Sequence, residues 1–124
     1  MLINLSNHPS FDWSTKQKGA ATSTFGNIFD VNFPEIPSNS DTNYVLEIAN
    51  RFKMICLDLI NFSKDANNAV HIMGEMTFCF ALVSLLQKEN ITCVASTTNR
   101  NSIEENGVKV SRFEFVRFRE YPKI

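Results

Sequence analysis

Three short polar stretches hold most of the chemistry this chain can offer. Ser6-Asn7-His8-Pro9-Ser10 supplies hydroxyls, an amide and an imidazole. Gly74-Glu75-Met76-Thr77 supplies a backbone free to approach a ligand, a carboxylate and a hydroxyl. Ser96-Thr97-Thr98-Asn99-Arg100 supplies hydroxyls, another amide and a guanidinium. Imidazole is the side chain that exchanges a proton near neutral pH, which makes His8 the candidate proton carrier. Ser6 and Arg100 are its candidate catalytic partners, Arg100 because a guanidinium fork matches phosphate oxygens. Asn7, Ser10, Gly74, Glu75, Met76, Thr77, Ser96, Thr97 and Thr98 are the candidate ligand contacts. The unpaired N–H groups of a helix starting after Gly74 add donors for an anion. Together these groups suit a phosphate or a nucleotide.

Each residue also has a structural explanation. Gly74 fits a tight strand-to-helix turn. Glu75 favours the positive end of a helix dipole, and Thr77 is a possible cap. Ser96, Thr97 and Thr98 suit the end of a strand. Arg100 reads equally as a solvated charge, and His8 as a turn residue. His71, in the middle of an apolar run, reads as a hydrogen-bonded core imidazole rather than a ligand.

The elements that must position these groups are legible from periodicity. Leu2-Ile3-Asn4-Leu5 predicts a short strand that ends before Pro9. Ser14 with Gln17 three residues on predicts a capped helix from about Ser14 to Thr24, closed by Gly26. Residues 28–33 alternate apolar and polar and predict a second strand closed by Pro34. Ser40 or Asp41 is placed to cap a long helix over residues 42–62. There Val45, Ile48, Phe52, Ile55, Leu59 and Phe62 form one stripe. A third strand over Ala69–Met73, a helix over Phe78–Leu86 and a fourth strand over Ile91–Ala95 follow. Asn106-Gly107 predicts a hairpin turn into a strand over residues 108–118. On that strand Phe113 and Phe115 are expected on one face, Val116 and Phe118 on the other.

This order is β-α-β-α-β-α-β with a C-terminal β-hairpin. Right-handed crossovers make it a three-layer α/β sandwich with a mostly parallel sheet, in the order 2-1-3-4. The three polar stretches then converge at the carboxyl edge of the sheet, where ligands of open α/β sheets bind.

Composition narrows the function. The 124 residues suit one domain, 1–124, with one core. Net charge is −1, so no global field draws the chain to nucleic acid or an anionic membrane. The basic residues Lys109, Arg112, Arg117 and Arg119 alternate with Glu114 and Glu120, which argues against an extended nucleic-acid surface. Cys56, Cys79 and Cys93 are scattered in apolar segments and suit a reducing cytoplasm rather than a disulfide framework. The start, Met-Leu-Ile-Asn, lacks a basic leader, and no apolar run reaches the ~20 residues of a membrane span. No H-x-x-x-H, E-x-x-H or acidic pair suggests a metal, and no G-x-G-x-x-G or Walker loop suggests a cofactor. Eleven Phe in so short a chain, with a last strand apolar on both faces, predict a homodimer.

Asn4-Leu5-Ser6-Asn7-His8-Pro9, Gly74 with its following helix, and the closing Phe113-Glu114-Phe115-Val116-Arg117-Phe118 resemble the small Rossmann-like proteins that accompany type III CRISPR systems. Those belong to the CARF and ring-nuclease group. The resemblance implies a Rossmann-like domain, a homodimer that binds cyclic oligoadenylate across its two-fold axis, and a role in antiviral defence. It implies that His8 and Ser6 sit near the ligand while Gly74 and Thr77 contact phosphate. Glu75 departs from what a purely anion-binding loop needs. If the chain cleaves such a ring, the ligand's own 2′-hydroxyl attacks phosphorus without a metal. A non-catalytic ligand sensor and a protein-interaction module of the same fold are the alternatives.

Overall fold

The computed structural model describes residues 1–124. Strand β1 (Leu2–Ser6) opens the chain. Helix α1 (Thr15–Phe25), preceded by a 3-10 turn at Ser10–Asp12, leads to β2 (Ile28–Asp30). Helix α2 (Thr42–Phe62) leads to β3 (Ala69–Met73), and α3 (Met76–Lys88) leads to β4 (Thr92–Glu105) and β5 (Val108–Glu120). The sheet order is β2-β1-β3-β4-β5. The first four strands are parallel and β5 is antiparallel to β4. The α/β class, the order 2-1-3-4 and the terminal hairpin are therefore as expected.

The sheet separates two apolar layers. Ile3, Leu5, Val70, Ile72 and Cys93 face α2 and α3, where Phe78, Leu82 and Leu86 are fully buried. Leu2, Ala69 and Val94 face the other way, onto Trp13, Ala21 and Phe25 from the α1 side. Alternation along each strand explains this sorting. It also directs Asn4, Ser6, His71 and Ser96 to the α1 side, one step further along than Leu2, Ala69 and Val94.

Local signals set most boundaries. Ser14 caps α1 by accepting from the Gln17 N–H, and Asp41 caps α2 by accepting from the Tyr44 N–H. Gly26, at φ 88°, closes α1 in a conformation that favours glycine. On α2 the packed face is Val45, Ile48, Ala49, Phe52, Cys56 and Leu59. Ile55 falls beside that stripe and Phe62 sits on the last turn, so both are exposed.

Three element boundaries differ from expectation. Strand β2 ends at Asp30, after which only the Val31 N–H still reaches the β1 carbonyl of Asn4. The chain then peels away so that Phe33 can stack edge-on against Phe78. Helix α3 begins at Met76, two residues early, because Glu75 caps it. Ser96, Thr97, Thr98, Asn99 and Arg100 are strand rather than loop, because β5 pairs with β4 along that whole length.

The hairpin also breaks its own alternation. A β-bulge between Thr97 and Thr98 sets Thr97 opposite Arg117 and Thr98 opposite Phe115. The extra residue, Val116, resets the pleat. Phe115 and Phe118 therefore lie together, ring centroids 4.9 Å apart, instead of on opposite faces.

Candidate functional site

A cavity of about 650 Å³ opens on the α1 side of the sheet, at its carboxyl edge. Its walls come from β1, the β1–α1 loop, α1, β3, β4 and β5, and include the Asp12 carboxylate. Ser6 ends β1, His8 follows it, Trp13 and Gln17 belong to the α1 region, and His71 and Met73 come from β3. Ser96 and Thr98 come from β4, Phe113 and Phe115 from β5. It lies beside the point where the connections diverge, β1 crossing to β2 on one side and β3 crossing to β4 on the other, which is where this architecture opens a crevice. The volume falls in the range of small-molecule sites.

A hydrogen-bonded chain forms the floor. Asn4 is 1% exposed and His71 2%. The Asn4 amide donates to Asp30 Oδ1 at 2.8 Å and to the His8 carbonyl at 2.9 Å. Asn4 Oδ1 accepts from Ser6 Oγ at 2.8 Å and lies 2.9 Å from His71 Nδ1. His71 Nε2 lies 2.6 Å from Ser96 Oγ, which also accepts from Gln17 Nε2 at 3.0 Å. Ser10 closes the far end, its hydroxyl donating to Asp30 Oδ2 at 2.7 Å. The Trp13 indole donates to the His8 carbonyl at 3.2 Å, fixing the β1–α1 loop. No buried side-chain polar atom is left without a partner.

The electrostatics follow from this wiring. Burial, with the nearby His8 charge, drives the His71 pKa down from 6.5 to about 4, so the ring is neutral at pH 7. Burial opposes ionisation of Asp30, but the bonds from Ser10 and Asn4 outweigh it and hold the carboxyl below its usual range. No Lys or Arg lines the cavity. Arg100 sits at its rim, with its guanidinium carbon 5.9 Å from the centroid of the Phe113 ring. It donates to Ser111 and joins none of the ion pairs, so its charge is uncompensated by a carboxylate.

The structure divides the residues singled out from the sequence. Ser6, His8, Ser96 and Thr98 share the cavity, with Arg100 beside it. Asn7 lies in an adjoining cleft of about 310 Å³ with Ser6, Pro9 and Asp30. Ser10 is occupied by Asp30. Thr97 faces the hairpin backbone, donating to the Arg117 carbonyl and accepting its N–H. Met76 and Thr77 line a separate groove of about 580 Å³ between α2 and α3.

The α3 N-terminus is already satisfied. The Glu75 carboxylate accepts from the Thr77 and Phe78 N–H groups and from the Thr77 hydroxyl. Those bonds, the Thr77 hydroxyl first, hold its pKa below the usual range. Gly74 lies under the Phe33 ring, where a Cβ would sit inside contact distance. A packing requirement therefore accounts for this glycine, and Phe33 covers the backbone a phosphate would approach.

Asn4, Trp13, Gln17 and Asp30 are site residues that sequence reasoning passed over, and His71 belongs to the cavity floor. One signal was present: Asn4 and His71 are polar residues flanked by apolar ones inside short strands, and such residues need partners when buried. In the structure they are register partners across β1 and β3.

The fold and site define an open-sheet α/β protein with a small-molecule-sized cavity at its strand switch point. The chain belongs to the Uncharacterized protein MJ1673 family, whose sequence profile matches residues 1–119. Comparison with curated proteins and with solved structures gives no match. No group of three or more His, Cys, Asp or Glu side chains converges anywhere in the fold, and no helix is long and apolar enough to cross a membrane.

Proposed function

We propose that this protein binds a nucleotide in the α1-side cavity, and that the ligand class is the RNA-like oligoadenylate of CRISPR-linked defence. The observation that carries the reading is the composition of that one cavity. Phe113, 66% exposed, offers aromatic surface for a base, with the buried Trp13 and Phe115 behind it in the cavity wall. Ser6, Ser96 and Thr98 offer hydroxyl partners for a sugar. Arg100, unpaired at the rim, offers a fork for phosphate. The resemblance to the ring-nuclease group supports the oligoadenylate, and the lining of the cavity supports this location for it.

The reading extends to metal-independent cleavage. The ligand's 2′-hydroxyl attacks the adjacent phosphorus, the P–O5′ bond breaks, and a 2′,3′-cyclic phosphate remains. The exposed His8 accepts the hydroxyl proton and returns it to the departing O5′. Arg100 balances the charge on the phosphorane. Few groups contribute beyond orientation, so turnover is slow. A sensor of the same fold would bind and release the ligand unchanged.

Two further parts of the reading have separate support. Met76 and Phe80 are 84% and 77% exposed on α3, beside Leu46 on α2, and this apolar surface supports a homodimer. Three free buried cysteines support a reducing, cytoplasmic setting. Burial pushes Cys56 and Cys93 up to about 12 and Cys79 up to about 11, so these thiols are inert.

The test is a thermal-shift panel of mononucleotides, linear oligoadenylates and cyclic oligoadenylates. Binding to the native state must raise the melting temperature. A shift followed by a 2′,3′-cyclic phosphate product on long incubation supports the enzyme. A shift without product supports the sensor. No shift with any nucleotide removes the reading and favours an interaction module.

A further inference from the structure

The cavity floor has a fixed hydrogen-bond polarity, set by two groups that can only accept. The Asp30 carboxylate and the His8 carbonyl can only accept, and both face the same end of the Asn4 amide. That end is therefore the NH2, and Asn4 Oδ1 faces His71. An amide oxygen has no proton to give, so His71 Nδ1 must carry the ring proton. In a neutral imidazole the other nitrogen is then a bare acceptor. Ser96 Oγ, 2.6 Å from Nε2, must point its single proton there. The Gln17 amide donates to one lone pair of the same oxygen. What Ser96 has left for the cavity is a lone pair and no proton.

We propose that Ser96 is an acceptor-only recognition point on the cavity floor, selecting ligands that present an O–H or N–H donor there and rejecting phosphate and carbonyl oxygens. For a nucleotide, the matching donors are a ribose hydroxyl or an exocyclic amine. The identity of the ligand rests on the nucleotide reading above; the polarity of the floor does not. The polarity also orients the ligand. Sugar or base points to Ser96, and phosphate points outward to the rim, where Arg100 stands. His71 is a positioning residue here. Its partner Asn4 carries no charge to hold an imidazolium, so the ring serves as a fixed acceptor.

Two measurements test this. The first needs no ligand: imidazole nitrogen NMR of the intact protein at pH 7. The expected result is His71 protonated on Nδ1 with a bare Nε2. The Nε2–H tautomer overturns the proposal, because Ser96 would then be free to donate. The second compares binding of adenosine 5′-monophosphate with its 2′-deoxy, 3′-deoxy and purine-riboside analogues, each lacking one donor. One analogue should bind roughly five- to tenfold more weakly, the size of one lost hydrogen bond. In Ser96→Ala that analogue should bind as well as the parent. Equal binding of all three analogues to the wild type overturns the proposal and leaves the nucleotide reading standing. No binding of the parent removes the nucleotide reading, and the tautomer then decides the polarity alone.

Discussion

Asn4→Ala is the substitution whose effect can be worked out most fully. Asn4 is 1% exposed and joins four partners: Asp30, the His8 carbonyl, Ser6 and His71. A net intramolecular hydrogen bond contributes about 1 kcal/mol, and a buried donor left unpaired costs roughly 1–3 kcal/mol. Ser6 can recover by donating to the His8 carbonyl, which lies 3.1 Å away. His71 Nδ1–H loses its acceptor, and the Trp13 and Phe118 rings packed against it offer no replacement. The expected loss is therefore roughly 3–5 kcal/mol, a large share of the ~5–15 kcal/mol that holds a domain folded. For a chain of this size that lowers the melting temperature by roughly 10–20 °C. Urea unfolding followed by circular dichroism reads it directly. Asn50→Ala, which removes a single exposed bond to the Leu46 carbonyl, is the control and should change stability by under about 0.5 kcal/mol. If Asn4→Ala changes stability by less than about 1 kcal/mol, the buried network is not what organises the cavity.

Stability should fall as the pH drops from 6.5 to about 4, because the unfolded His71 takes a proton that the folded ring refuses. The loss is on the order of 3 kcal/mol at pH 4, and His71→Gln should flatten it; an unchanged slope in that variant refutes the assignment. Gly74→Ala should destabilise by roughly 1–3 kcal/mol in urea titration by pushing its Cβ into Phe33, and Phe33→Leu should relieve most of that loss. Sedimentation equilibrium should give a dimer that Phe80→Glu converts to monomer, and a wild-type monomer at high concentration removes the dimer.

The order of elements was readable because each is marked locally. Ser14 and Asp41 cap, Gly26 stops α1, Asn106-Gly107 turns the hairpin, and apolar spacing separates strand from helix. The site was only half readable, because a cavity is a property of register. Ser6, His8 and Ser96 stood out as polar residues near strand ends. Asn4 and His71 were visible only as polar residues within apolar runs, since the β1–β3 pairing is what brings them together. Trp13 and Gln17 were invisible as site residues because α1's position over the sheet decides what they face. Glu75 and Gly74 point the other way. Their types suited an anion site, but a helix needing a cap and a Phe ring needing space claimed them. The bulge that gathers Phe115 and Phe118 leaves no mark in the alternating sequence.

Amide NMR during nucleotide titration locates the site without any substitution. The chain has one Trp, so the Trp13 indole gives a single resolved N–H signal at the cavity wall. The Trp13 indole and the amides of Ser6, His8, Ser96 and Phe113 should shift together, while Met76 and Thr77 stay unmoved. Shifts confined to the groove between α2 and α3, or none with any nucleotide, would contradict this placement of the site.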